Sequence, residues 1–401
     1  MTINTENRPT QQGWFYVLLL SIGHFLNDFY NNFLPPLLPL VAVTLGLSLT
    51  TSGFLVMVYS FTASMLQPIC GYFVDKSSYT WLILLTLPIS AVFICFSGLA
   101  PTTLILFICV ALSGIASSLF HPLGSTLVGK VATLHNQVLA MSVFIGTGNL
   151  GFAIAPALII FCLVNFGVTS LPWMIAPALI ITVVYYVSGL HRIELAALQK
   201  VSPVSGQVWY KSSNLLKLNA VMALRSWSQV AVLTFLPLLL AGYGHTPVLA
   251  GNMLTVYLLG GVLGGFVGGY LSDKIGQRSC VLGSLFFCLP LMYAFFISTE
   301  ITSITWLLLA LSGAALQSSL PASIVWAQNI IPNNAAMASG MMLGLSFGLG
   351  GVGTALTGAM ADLIGLHSAL LWTLAPLALA IPLTYSIPEK QLTTEDIDHT
   401  L

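Results

Sequence analysis

Residues 269–278 read GYLSDKIGQR, and residues 71–76, at an offset of 198, read GYFVDK. Residues 111–116 read ALSGIA and residues 310–315 read ALSGAA, at an offset of 199. Pro122 and Pro321 are also 199 apart. Three matches at nearly one offset point to a duplicated unit that fills about half of the 401 residues.

The chain is 57% hydrophobic and 5% charged, against roughly 25% charged in a soluble domain. Its 11 Lys+Arg and 11 Asp+Glu cannot cover a folded surface in water, so its solvent is mostly lipid. Zero net charge gives no reason to expect a nucleic-acid partner. A membrane helix needs about 20 apolar residues. Such segments fall near 14–44, 50–74, 79–99, 102–130, 136–164, 169–190, 215–243, 248–272, 279–299, 302–330, 335–364 and 366–386. Twelve segments over two repeats predict an all-α membrane protein of two pseudo-symmetric six-helix bundles, an arrangement whose interface encloses a binding site at mid-membrane. The long first segment is expected to bend around Pro35, Pro36 and Pro39.

Residues 191–214 are the one long polar connection. They divide the chain into a first half at 1–190, a cytoplasmic linker at 191–214, a second half at 215–386 and a cytoplasmic tail at 387–401. With the N-terminus inside the cell, ten of the eleven basic residues fall on cytoplasmic ends, and the outer loops near 45–49, 100–102 and 244–247 carry none. Both termini are therefore expected on the cytoplasmic side of a cell (inner) membrane. The polar residues 1–12 precede an apolar run without a small-residue cleavage pattern, so that run reads as a retained helix. None of the six cysteines forms a C-x-x-C pair, and they read as small buried hydrophobes rather than metal or redox groups. No metal and no cofactor is expected, and the chain is expected to work as a monomer.

The stretch at 269–278 resembles the loop signature of the major facilitator superfamily, G-x-x-x-D-[RK]-x-G-[RK]. The first-half copy, GYFVDKSSYT at 71–80, lacks the trailing Gly-Arg. Asp273 can cap or pair with neighbouring helix ends, while Lys274 and Arg278 hold the loop at an anionic leaflet. Asp75, Lys76, Asp273, Lys274 and Arg278 are accordingly expected to gate. Residues 21–41 (SIGHFLNDFYNNFLPPLLPLV) and 113–125 (SGIASSLFHPLGS) resemble the fosmidomycin-resistance branch of that superfamily. This resemblance implies a drug or metabolite exporter without specifying a substrate. Residues 146–156, GTGNLGFAIAP, partly match the glycine- and proline-rich motif of proton-coupled exporters, with Ala155 in place of its second glycine.

Ionisable groups inside a membrane span are costly, and each is a functional hypothesis by default. Asp28 sits about 14 residues, or roughly 21 Å, into the first helix. His24, Asp28 and Asn32 follow at i, i+4 and i+8 with Asn31 beside them, a face that can load and release a proton or simply fix helix packing. Arg225 lies eight residues past Lys217, roughly 12 Å deeper than a surface anchor. Leu-Pro at 236–237 parallels Leu-Pro at 34–35. Helix seven is thus the repeat partner of helix one, and Arg225 is expected at the Asp28 level or a turn below. The two can pair in the empty state, and Arg225 can alternatively bind an anionic substrate.

His121, exposed by Pro122 and flanked by Ser117, Ser118 and Ser125, is a further lining candidate. Gln229, Tyr257 and Trp326 are candidates as well, with Gln67, Asn149, Trp227, Gln317, Ser318 and Gln328 also at helical depth. Asp362 reads as a gate near the outer end of span eleven and His367 as loop. Glycines at 260, 264 and 268, at 261, 265 and 269, and at 340, 344 and 348 form smooth faces. These suit either sliding or static packing.

The residues thus favour a secondary transporter that lets a proton in and a small polar or anionic organic solute out. Uptake of an organic acid or of a divalent metal is the alternative. There is no G-x-x-x-x-G-K-[ST] for ATP hydrolysis and no H-E-x-x-H or paired carboxylates for an intramembrane enzyme.

Overall fold

The computed structural model describes residues 10–77, 79–132, 137–193, 212–298, 300–331 and 335–388. Eleven helices in it are long and apolar enough to cross a membrane. The twelfth span, the first in the chain, is broken in two: α1 (Thr10–Asn31) and α2 (Leu34–Leu45). Pro35 and Pro36 sit in the first turn of α2, where their missing N–H groups cost nothing. The break therefore falls just before the prolines, and Pro39 is accommodated inside α2.

Span two joins α3 (Leu49–Ser60), a π-helical turn (Phe61–Met65) and α4 (Gln67–Ser77). Spans three to six centre on α5 (Ile83–Ser97), α6 (Thr103–Val131), α7 (Gln137–Phe166) and α8 (Ala176–Val187). Spans seven to ten are α9 (Ser213–Gly242), α10 (Pro247–Ile275), α11 (Gln277–Ile297) and α12 (Ser303–Ile330). Span eleven joins α13 (Ala335–Gly340), a second π-helical turn (Met341–Leu345) and α14 (Ser346–Ile364). Span twelve is α15 (Leu366–Trp372) followed by α16 (Leu374–Tyr385). His367, expected in a loop, instead lies in the first turn of α15 and donates from Nε2 to the Phe296 carbonyl at 2.9 Å.

Both π turns have local causes. Pro68 has no N–H to return to the preceding turn, and Gln67 supplies a side-chain donor to the Ala63 carbonyl at 2.9 Å. In span eleven the Met341 carbonyl takes the backbone N–H of Ser346, five residues on, and also accepts from Asn219 Nδ2 at 3.1 Å and Ser346 Oγ at 3.2 Å.

The buried apolar residues fall into two clusters, one drawn almost wholly from α1–α8 and the other from α9–α16. Large apolar side chains such as Leu104, Phe266, Phe286 and Ile180 point outward, as a lipid-facing surface requires. The second half is drawn together along α10 and α12. A Cβ on Gly260, Gly264 or Gly268 would run into the backbone of Ala310, Ala314 or Ser318, whereas Gly269 faces open space. These glycines therefore serve fixed packing within one half. The sliding candidates are those of span eleven, which face span two across the molecule: Gly344 lies against Ser64, Gly348 against Met65 and Gly351 against Ser60.

The seam is closed at the end away from the termini. Gly53 packs on the Thr354 carbonyl, Gly358 on the Leu49 backbone and Gly251 on Ile160 and the Pro156 carbonyl. Toward the end that carries the termini it loosens: at Gly340 an added Cβ would only just touch Pro68, at 4.0 Å.

Gly264→Ala is expected to destabilise by about 1–3 kcal/mol through overpacking, read as a lower thermal midpoint in detergent. Gly269→Ala should leave the midpoint unchanged or slightly raised. Equal behaviour of the two variants would mean that the α10–α12 contact does not hold this half together.

Candidate functional site

Two polar centres lie in the membrane interior, one in each half. The first is built on α1. His24 is buried and stacks on Phe144 of α7, with ring centroids 4.1 Å apart. Its Nδ1 lies 2.7 Å from the Phe144 carbonyl. A carbonyl only accepts, so Nδ1 carries a proton and Nε2 is the atom turned toward Asp28, 3.3 Å from Oδ2. His121 of α6 approaches the other carboxylate oxygen, with Nε2 3.4 Å from Oδ1. Asp28 and His121 keep 13% and 25% of their side-chain surface accessible, so the centre is enclosed but not sealed.

Asn27 and Asn31 complete this centre. Asn27 Nδ2 lies 3.2 Å from Asp28 Oδ1, 3.1 Å from Ser117 Oγ and 3.2 Å from His121 Nε2. Asn31 Nδ2 reaches Asp28 Oδ1 at 3.2 Å, and its Oδ1 accepts from the Tyr59 hydroxyl. Asn32, expected on the same face, is not in the centre. The helix ends at Asn31, the periodicity stops there, and Asn32 Nδ2 donates to the Phe152 carbonyl of α7 at 2.8 Å.

Asn27 and Gly148 were not among the sequence candidates. A Cβ at Gly148 would sit 2.6 Å from His24 Cε1 and 2.7 Å from both His24 Nε2 and Asp28 Oδ2. The glycine-rich run at 146–156 thus has a local purpose. Gly148 leaves room for the His24–Asp28 pair, and Gly151 lets α7 touch the α1 backbone at Phe25.

The metal-binding atoms of His24, Asp28 and His121 all lie within 4.8 Å of one another, which meets the bare spacing of a cation site. The donors around them argue otherwise: amide N–H groups of Asn27 and Asn31 point at the lone pairs of Asp28 Oδ1 and His121 Nε2 that a cation would need. The set fits proton and hydrogen-bond chemistry better than metal.

The second centre is built on α9 and α12. Arg225 is 0% exposed. Its Nε donates to the Leu316 carbonyl at 3.0 Å and its Nη2 to Gln317 Oε1 at 2.6 Å. Gln229 Nε2 donates to the same Gln317 oxygen at 3.2 Å. The expected pairing of Arg225 with Asp28 is not observed: Asp28 is enclosed by its own half, and Arg225 has no ion pair among the described residues. The repeat explains why. Asn27 meets Ser117, and Arg225 meets Leu316, at offsets of 198 and 199. Arg225 is thus the counterpart of Asn27, one position off Asp28, and turns back onto α12.

Of the other candidates, Tyr257 is buried on α10 close to Arg225. Trp326 is buried in the apolar core of the second half, and Trp227 ties α9 to α14 through Thr357 Oγ1 at 2.8 Å. Asp75 and Lys76 end α4, but their side chains lie outside the described residues. Asp273 and Lys274 are exposed. Lys274 stands over the Tyr270 ring, and Asp273 makes neither the capping bond nor the ion pair expected of it among the described residues. Arg278 instead anchors the loop, donating from Nη2 to the Tyr385 carbonyl at 2.6 Å.

Asp362 joins the halves at the closed end. Its oxygens accept from the backbone N–H groups of Leu49 at 3.0 Å and Thr50 at 2.8 Å, and from Thr50 Oγ1 at 2.6 Å. These are the free donors at the start of α3, where a negative charge is favoured by the helix dipole.

A sequence profile described as the Major Facilitator Superfamily matches residues 20–206 and 218–396. The chain is 28% identical over 398 residues to the uncharacterized MFS-type transporter YfnC of Bacillus subtilis (strain 168), covering 96% of each chain. It is 28% identical over 358 residues to the fosmidomycin resistance protein of Escherichia coli (strain K12), covering 86% of this chain and 85% of that protein. Among solved structures it shares its fold with a bacterial homolog of the human lysosomal transporter Spinster in an inward-facing, unoccupied conformation. That match has a TM-score of 0.80 and 15% identity, over 94% of this chain and 97% of the other. The nucleoside transporter NupG shares the fold at a TM-score of 0.74 and 15% identity, over 93% and 98%.

Two outcomes follow from this geometry. Gly148→Ala is expected to displace His24 and Asp28 and abolish transport while leaving insertion and folding intact; full activity would show that the pair has slack. Asp362→Ala should free the closed end, raising the labelling of a cysteine introduced at Thr354 by a membrane-impermeant thiol reagent. Unchanged labelling would remove Asp362 from gating.

Proposed function

The chain belongs to the major facilitator superfamily, and from that premise we propose that it is a proton-coupled secondary transporter that exports a small polar or anionic organic compound by alternating access. Asp28 and His24 carry the proton, with His121, Asn27 and Asn31 around them. Arg225, Gln229 and Tyr257 hold the solute.

The observation that carries the reading is the His24–Asp28 contact. With Nδ1 committed to the Phe144 carbonyl, His24 Nε2 and Asp28 Oδ2 face each other at 3.3 Å. Two lone pairs at that distance repel, and a single proton between them turns repulsion into a charge-assisted hydrogen bond. Gain or loss of that proton changes the charge of a buried cluster that ties α1 to α6 and α7. That is the differential interaction between two states that coupling requires.

Basic residues concentrated at the end with the termini support placing that end in the cytoplasm. On that orientation the loosened seam corresponds to an inward-facing state, with Asp362 holding the outer end shut. Export is favoured by the resistance named for the Escherichia coli relative. Uptake would use the same machinery with the proton moving in the same direction as the solute.

The test is solute-dependent proton flux in liposomes holding the purified protein, screened with small organic acids and phosphonates. Asp28→Asn is expected to reduce solute-driven proton movement to background without loss of folded protein. Solute flux without proton movement in the wild type would make the protein a facilitator and return Asp28 to a packing role.

A further inference from the structure

Arg225 is a guanidinium sealed inside the protein without a counter-ion among the described residues, and such a charge is costly unless something supplies the anion. Its surroundings are incomplete in a specific way. Arg225 Nη1, the Tyr257 hydroxyl and Gln229 Oε1 are all buried without a hydrogen-bond partner, in residues that are 0%, 2% and 7% exposed. Meanwhile two donors, Arg225 Nη2 and Gln229 Nε2, converge on one neutral oxygen, Gln317 Oε1. That is the environment of an oxyanion oxygen with an amide standing in for it. Gln317 is only partly buried, so its arm can swing aside.

The unmet groups describe what would replace it. A guanidinium with Nη1 free and Nη2 held only by an amide oxygen presents the two-pronged fork that carboxylates and phosphonates fill bidentately. Gln229 Oε1 is an acceptor and asks for an O–H or N–H. We propose that this cluster binds the anionic head of the transported solute, a carboxylate or phosphonate with a hydroxyl or amino hydrogen-bond donor beside it. Gln317 keeps the place of its oxygen while the site is empty. The inference rests on the transporter reading and narrows its substrate class.

The test reads stability, so it can fail while proton coupling at Asp28 stands, and the reverse. Thermal unfolding of the purified full-length protein in detergent is followed at constant ionic strength with glycolate, hydroxymethylphosphonate or neutral glycolamide. At least one of the two anions should raise the midpoint, which one distinguishing carboxylate from phosphonate, and glycolamide should not. Arg225→Met should abolish the response without lowering the ligand-free midpoint, because it removes an uncompensated charge. Gln317→Glu should raise the ligand-free midpoint and abolish the response by filling the site from within. No response to either anion, an equal response to glycolamide, or a ligand-free midpoint that falls in Arg225→Met as a structural cation demands would each overturn the proposal.

Discussion

Inside hydrocarbon, a polar group that finds no partner in the protein finds none at all, and every departure from α-helix must be repaired locally. This chain meets that demand closely. The carbonyls displaced at its two π turns receive side-chain donors from Gln67, Asn219 and Ser346. The helix starts at α3, α6, α9 and α10 are capped by Ser48, Thr102, Ser212 and Thr246. Against that background the buried polar side-chain atoms left without partners among the described residues stand out: four of the eight, Asn27 Oδ1, Arg225 Nη1, Gln229 Oε1 and Tyr257 Oη, belong to residues of the two interior centres.

The two repeats use one scaffold for opposite chemistries. At matching positions the first half brings an asparagine of α1 to a serine of α6, and the second brings an arginine of α9 to the main chain of α12. One centre gathers imidazoles around a carboxylate, and the other gathers amides around a cation. Asp28 and Arg225 each take their polar partners from their own half, so no ion pair among the described residues joins the halves. The halves are joined by glycine-lined backbone contacts, by the Asp362 carboxylate on the start of α3, and by Thr255 Oγ1 of α10 accepting from the Ala157 N–H of α7.

The spans, the repeat and the interior depth of Asp28 and His24 could be read from residue order because they rest on hydropathy and on the cost of charge in lipid. Partners could not. Whether Arg225 meets Asp28 or Gln317 depends on a helix rotation of one position, well inside the uncertainty of an offset between 198 and 202. A 3.6-residue period puts Asn32 on the face of His24 and Asp28, but the helix stops at Asn31. Gly148 carries no signal in sequence because a glycine's contribution is the space it leaves, here the space that His24 and Asp28 occupy. The glycine faces of α10 and span eleven look alike in sequence. Only the neighbour each one meets tells fixed packing from a sliding surface.

The two π turns, Phe61–Met65 and Met341–Leu345, lie on the helices that meet across the seam, where Gly344 rests on the Ser64 carbonyl. A π turn carries one residue more than the same length of α-helix. Each helix therefore stores about 1.5 Å of spare contour at the point where it touches its opposite number. Such slack can be handed along a helix, turn by turn, without the rest of the rod sliding through its neighbours. Movement of the halves past one another can then proceed as a local, stepwise change of register, with increments set by the rise of a single residue.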